Sequence, residues 1–242
     1  MTHSTTTTGY RERLATTLPA VRDRIDGALD AAGRAPGSVR LVAVTKGHPY
    51  AAVEAALEAG LTDLGENRVG ELEDKVEHFG SDRVTWHMIG HVQSRKASRV
   101  AEVAALVHSV DSRKLARKLS RAVAEEDRTL DVLVQVNTSG EDAKYGFTPE
   151  EGYEAVLEMV ELPGVSVRGL MTMAPFVDDE GVLGTTFRRL RELSQRLRAA
   201  SERVGSELSM GMTNDLEIAV REGSTMVRVG TALFGKRRGD TQ

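Results

Sequence analysis

No cysteine occurs anywhere in the 242 residues, which excludes disulfides and thiolate metal sites and leaves a reducing compartment open. No apolar run approaches membrane-spanning length, and the first residues, MTHSTTTTGYRERL, lack the charged-then-apolar order of a secretory leader. The default expectation is therefore a cytoplasmic, soluble protein without a membrane partner. A strong charge imbalance is also missing. The 32 basic and 36 acidic side chains leave a net charge of −4 spread along the chain, so there is no global field that would draw nucleic acid or an anionic membrane. No linker rich in Pro, Gly or Ser divides the chain, and no G-x-G-x-x-G follows an early strand, which argues against an open dinucleotide-binding sheet.

What the chain does have is alternation. Residues 1–9 are polar and Thr-rich and are expected to be a disordered tail. From residue 10 to 32, Leu14, Leu18, Val21, Ile25 and Leu29 recur every three or four places, predicting an amphipathic helix that Pro19 divides in two. Eight strand-like runs follow, at 39–45, 61–65, 84–89, 106–110, 130–137, 165–173, 207–210 and 225–229. Helical segments separate them at 50–59, 68–78, 94–104, 112–127, 149–161, 184–204 and 214–222, and residues 231–234 form a short turn. Eight strands alternating with helices, at about 25 residues per unit, predict an α/β fold consisting of a single (β/α)8 TIM barrel. The N-terminal helix would be an extra element closing the gap after the eighth strand. The expected domain is 10–235, with KRRGDTQ (236–242) a loose basic tail.

In such a barrel the functional face lies at the carboxyl ends of the strands. Lys46 follows the first strand, where partial desolvation and neighbouring cations would lower its pKa and free the amine as a nucleophile. The turns Gly211-Met212-Thr213 and Gly230-Thr231 follow strands seven and eight, and their small residues let backbone N–H groups converge on a phosphate. Arg228 projects from the eighth strand. An amine, two phosphate-friendly turns and an arginine together suit an aldehyde cofactor carrying a phosphate, and pyridoxal 5′-phosphate (PLP) fits that description. Lys46 would form the imine, Thr213, Gly230 and Thr231 would hold the phosphate, and Arg228 would reach the pyridine nitrogen. A guanidinium there keeps that nitrogen unprotonated and weakens the ring as an electron sink. His87 and His91 flank Ile89-Gly90 at a strand end and do not share one helix face, so they do not read as a metal pair.

Over nearly its full length the chain resembles the YggS/PROSC family of PLP-binding proteins, whose fold is similar to the barrel domain of bacterial alanine racemase. The resemblance rests on LVAVTK (41–46), LGEN (64–67), WHMIGHVQSRK (86–96), VRGLMTM (167–173), LSMGMTND (208–215) and GSTMVRVGTALFG (223–235). It implies an imine at Lys46, a pyridine contact from Arg228 and phosphate contacts at Thr213, Gly230 and Thr231. It further implies Asn67 and His87 as pocket-lining polar residues, with Met210 under the ring. Ser224 and Thr225 belong to the matching motif but begin a strand and read as structural. Arg68, Arg95 and Thr213 depart from the family's usual residues; the first two alter the rim, and the third keeps its hydroxyl.

The resemblance implies a part in PLP homeostasis without established turnover. Racemases of this fold take a second acid/base group from a tyrosine on a C-terminal β-domain, for which the residues after Gly235 leave no room. Of Tyr10, Tyr50, Tyr145 and Tyr153, only Tyr145, beside Lys144, falls near the expected mouth. A PLP carrier serving apo PLP-dependent enzymes is the first reading, a racemase-like enzyme with reduced acid/base machinery the second, and a structural barrel with incidental phosphate affinity the third. A monomer is expected. Lys144 is a candidate for a second aldehyde site.

Overall fold

The structure, a computed structural model, describes residues 6–141 and 145–236. Eight strands lead the architecture: β1 (Arg40–Val44), β2 (Asp63–Glu66), β3 (Thr85–Met88), β4 (Leu106–Val110), β5 (Leu130–Gln135), β6 (Val165–Met171), β7 (Glu207–Ser209) and β8 (Met226–Val229). Each pairs in parallel with the next, and β8 returns to β1, so the sheet closes into the expected barrel in sequence order. The outer ring is α1 (Thr7–Ala31), α2 (Tyr50–Glu58), α3 (Val69–Phe79), α4 (Ala97–Val103), α5 (Arg113–Ala124), α6 (Pro149–Met159), α7 (Glu180–Ala200), α8 (Leu216–Arg221) and α9 (Thr231–Phe234).

Strand residues alternate between two environments. Outward-facing Ala43, Leu64, Trp86, Met88, Val107, Val134, Leu170, Leu208 and Val227 pack under the helices and form most of the core. Inside the barrel a smaller cluster joins Val42, Leu106, Leu133, Met171 and Met226. Polar side chains share those levels of the interior, since Arg228 pairs in register with Val42, Ser209 with Met226 and His87 with Leu106.

Three departures from the sequence expectation have a local cause in the structure. Helix α1 begins at Thr7, inside the stretch expected to be a tail, because the Thr6 side chain caps it by accepting the Gly9 N–H. It also runs through Pro19 as one helix. A single buried face of Tyr10, Leu14, Leu18, Val21, Ile25 and Leu29 offsets the one backbone bond that proline cannot make. Helix α7 starts four residues before the expected 184, since Asp179 accepts from the N–H groups of Gly181 and Val182. No helix among the described residues is long and apolar enough to cross a membrane.

Candidate functional site

A cavity of about 430 Å³ opens at the carboxyl ends of the strands. Lys46, Asn67, Thr213, Arg228, Gly230 and Thr231 all line it, so six of the eight residues singled out from sequence meet in one place.

The backbone carrying Lys46 is held from behind. The Thr45 hydroxyl donates to Glu66 Oε1 at 2.5 Å, and Lys75 of α3 donates to both the Thr45 carbonyl (2.8 Å) and Glu66 Oε1 (2.6 Å). All three side chains are buried between barrel and helix, and Glu66 Oε2 has no hydrogen-bond partner. Burial pushes the Glu66 carboxyl above its ordinary pKa, against the pull of Lys75 and Thr45. The ends of β1 and β2 are thereby tied to α3, which fixes where Lys46 and Asn67 leave the sheet. Gly90 completes this side. A Cβ there would lie 2.1 Å from the Asn67 carbonyl oxygen and 2.6 Å from its Oδ1, so only glycine lets Asn67 settle against the end of β3.

Opposite, the turn after β7 is built around Gly211, at φ +99°, where a side chain would be strained. The Met212 N–H donates to Asp215 Oδ1 at 2.5 Å, and the Arg228 N–H donates to the Gly211 carbonyl at 3.0 Å. From α1, Arg24 reaches across to the Thr213 carbonyl (2.7 Å) and pairs with Glu217 at 2.5 Å. At the end of β8, a Cβ on Gly230 would press to 3.1 Å from the Val44 carbonyl oxygen. The N–H groups of Gly230, Thr231 and Ala232 precede the first intrahelical bond of α9.

Arg228 forms the cavity floor at 5% exposure. It donates through Nη1 to Ser209 Oγ (2.5 Å) and through Nη2 to the Thr172 carbonyl (3.0 Å). Burial lowers its pKa to about 10, opposed by the Asp215 charge, so it stays a cation at neutral pH. Burial also raises the pKa of Asp215, against its bond from Met212 and the charge of Arg228.

Two expected residues lie elsewhere. His87 was expected at the pocket wall, but it is fully buried inside the barrel, between Asp63 and His108, and does not reach the cavity. It sits on β3 level with Gly65 of β2, one layer below the rim that Asn67 and Ile89 occupy. Met210, expected under the ring, is fully buried in the outer core. Ser209 faces inward, so the next side chain must face out. His91 is separated from His87 and bonds Asp111 at 2.7 Å while stacking on Tyr145. Lys144 lies outside the described residues. Sequence reading missed Asp215, Ser209 and His108, though strand alternation places Ser209 inward once the β7 register is fixed. It also missed the stretch 174–178 after β6, which lines the cavity and carries Phe176 at 93% exposure.

Comparison with known proteins agrees with this fold. The family model for the alanine racemase N-terminal domain matches residues 18–238. A pyridoxal phosphate homeostasis protein of Vibrio alginolyticus is 43% identical over 209 residues, covering 85% of this chain and 89% of the relative. Among solved structures, an unknown protein from Bifidobacterium adolescentis superposes with a TM-score of 0.88 at 37% identity, covering 93% of this chain and 96% of that one. PipY of Synechococcus elongatus PCC7942, solved with PLP bound, gives a TM-score of 0.77 at 35% identity, covering 87% and 100%. By its barrel and by these matches, the chain belongs to the family of pyridoxal phosphate homeostasis proteins.

Proposed function

We propose that this chain binds pyridoxal 5′-phosphate, holds its aldehyde as an imine of Lys46, and takes part in PLP homeostasis in the cytoplasm as a monomer that passes the cofactor to apo PLP-dependent enzymes. The observation that carries the reading is convergence. An amine, a buried guanidinium and two glycine-containing turns face one cavity from β1, β7 and β8. The residues fit the group: Gly230 cannot carry a side chain without pressing on β1, which keeps its turn open to a phosphate, and Thr213 and Thr231 add hydroxyls at the same end. Asn67 lies on the Lys46 side. When bound, the cofactor supplies a reactive aldehyde and an electron-accepting ring. The protein's part is to grip it at both ends and to hold Arg228 at the ring nitrogen, where a permanent cation opposes protonation and limits electron withdrawal.

A carrier is favoured over a racemase-like enzyme by the composition of the cavity wall. Among the described residues lining the cavity none is a tyrosine or histidine, and of its carboxyls Asp215 is engaged by the Met212 N–H, which leaves the exposed Asp178 and Glu180. After incubation with PLP and reduction with borohydride, peptide mass mapping is expected to place one adduct on Lys46, and Lys46→Ala is expected to lose it. An adduct on another lysine would overturn the assignment. Solvent deuterium exchange at the α-carbon of amino acids is expected to stay at the Lys46→Ala background. Exchange above that background would favour the racemase-like reading.

A further inference from the structure

Beneath the cavity floor, a row of polar side chains crosses the barrel interior from strand to strand. Arg228 Nη1 lies 2.5 Å from Ser209 Oγ, which lies 2.8 Å from His108 Nδ1. His108 Nε2 lies 2.9 Å from His87 Nδ1, and His87 Nε2 lies 3.0 Å from Asp63 Oδ1. The three middle residues are almost wholly buried, whereas Asp63, the first residue of β2, has a side chain 24% exposed at the amino-terminal end of the barrel. The row therefore joins the cavity floor to the opposite face.

Its direction follows from chemistry. Arginine can only donate and a carboxylate can only accept, so both ends are fixed. Ser209 Oγ accepts from Arg228 and gives its own proton to His108 Nδ1. His108 must then donate from Nε2 to His87 Nδ1, and His87 from Nε2 to Asp63. Two neutral imidazoles in the same tautomer satisfy every bond. An imidazolium at His87 would reverse the middle bonds, and the Ser209 hydroxyl proton would have no acceptor, since Ser209 Oγ has no third partner among the described residues. Burial, and after it the nearby cations Arg228 and Arg40, hold His108 well below the usual histidine pKa, which agrees with the neutral form. Arg40, 3.8 Å from Asp63 and 3.7 Å from Glu207, keeps the anionic end of the row in place.

We propose that Ser209, His108 and His87, anchored on Asp63, are positioning residues for Arg228. They fix the rotation of its guanidinium by occupying Nη1, while the Thr172 carbonyl occupies Nη2, and so decide which remaining N–H groups face the cofactor's ring nitrogen. This rests on the reading of the cavity as a PLP site. Fold stability alone does not account for the arrangement, because a barrel interior filled with aliphatic side chains needs no directional row.

The first test needs no cofactor and no variant. Nitrogen-15 NMR of the histidine side chains in the PLP-free protein is expected to show His87 and His108 both neutral and protonated on Nε2. An imidazolium or an Nδ1–H form at either would overturn the row. The second test uses PLP-loaded protein. Ser209→Ala, and Asp63→Asn at the far end of the barrel, are expected to keep one borohydride-trapped adduct per chain. Each should move the pH midpoint of the absorption band of the unreduced PLP-loaded protein downward by about half to one unit, as a loosened guanidinium lets the ring nitrogen gain a proton. Ser209→Thr, which keeps the hydroxyl, should restore the midpoint. An unmoved midpoint in both variants with the adduct intact would overturn the positioning role. A wild type without an adduct at Lys46 would overturn the cofactor reading and the positioning role with it, whatever the tautomers show.

Discussion

Asp215 takes its pKa shift from two opposing surroundings. Burial disfavours its charge, while the Met212 N–H and the Arg228 cation favour it, and burial wins, so its folded-state pKa lies above the ordinary carboxylate value of 3.8. A carboxyl whose pKa rises on folding stabilises the native state when protonated. That contribution is present below pH 3.8 and is lost as pH rises through the folded pKa, so at neutral pH the charge is a cost. Asp215→Asn keeps an oxygen for the Met212 N–H and removes the charge. We expect its Tm to equal or exceed wild type at pH 7, with the difference narrowing toward pH 5. A lower Tm at pH 7 would mean that the attraction to Arg228 outweighs burial. Gly90 gives a purely steric case beside it. Gly90→Ala must displace Asn67, whose carbonyl oxygen lies 2.1 Å from the new Cβ. A cost of about 1–3 kcal/mol is expected in urea melts, as for other overpacked sites.

At the scale of elements, β1 and β2 are anchored to α3 by a buried ion pair between Lys75 and Glu66. Removing one partner of a buried ion pair leaves the other uncompensated, which costs about 3–5 kcal/mol. Lys75→Met is expected to fall in that range by denaturant unfolding. The double variant with Glu66→Leu should recover most of the loss, since Glu66 Oε2 already lacks a partner. A double variant no better than the single would show that the Thr45 contacts, and not the charge, carry the tie. The element order, all eight strands and the barrel closure were legible in the sequence, because buried parallel strands read as short apolar runs and their count fixes the architecture. Less legible were features decided across space. Pro19 lies inside α1 because the buried face on either side of it is continuous. The inward or outward facing of Met210 and His87 turns on strand register, which one residue inverts. The motifs located Lys46 and Arg228 well because each is tied to the carboxyl end of a strand. They could not reveal the interior row, whose members come from five strands and meet only when the ring closes.

For the molecule as a whole, α1 is the piece that ties the outer ring to the cavity. It packs against α2, α8 and α9, and its buried face of seven residues runs from Tyr10 to Leu29. At about 1.5–3 kcal/mol for each large apolar side chain, that face rivals the roughly 5–15 kcal/mol that separates folded from unfolded domains, so α1 is part of the fold and not an appendage. Its Arg24 carries that coupling to the site, bonding the Thr213 carbonyl and pairing with Glu217 of α8. Both groups are about one-third exposed, so the ion pair itself adds little stability. On the proposed reading, its consequence should appear in recognition of the phosphate that the turn after β7 would hold. Arg24→Ala is expected to weaken PLP binding about 3- to 10-fold, the size of one ordinary net hydrogen bond. Binding of pyridoxal, which has the aldehyde and lacks the phosphate, should not change. Fluorescence titration with both aldehydes separates the outcomes: a parallel loss for the two would place the effect of Arg24 on the whole barrel, and a loss for PLP alone would place it on the turn that Thr213 occupies.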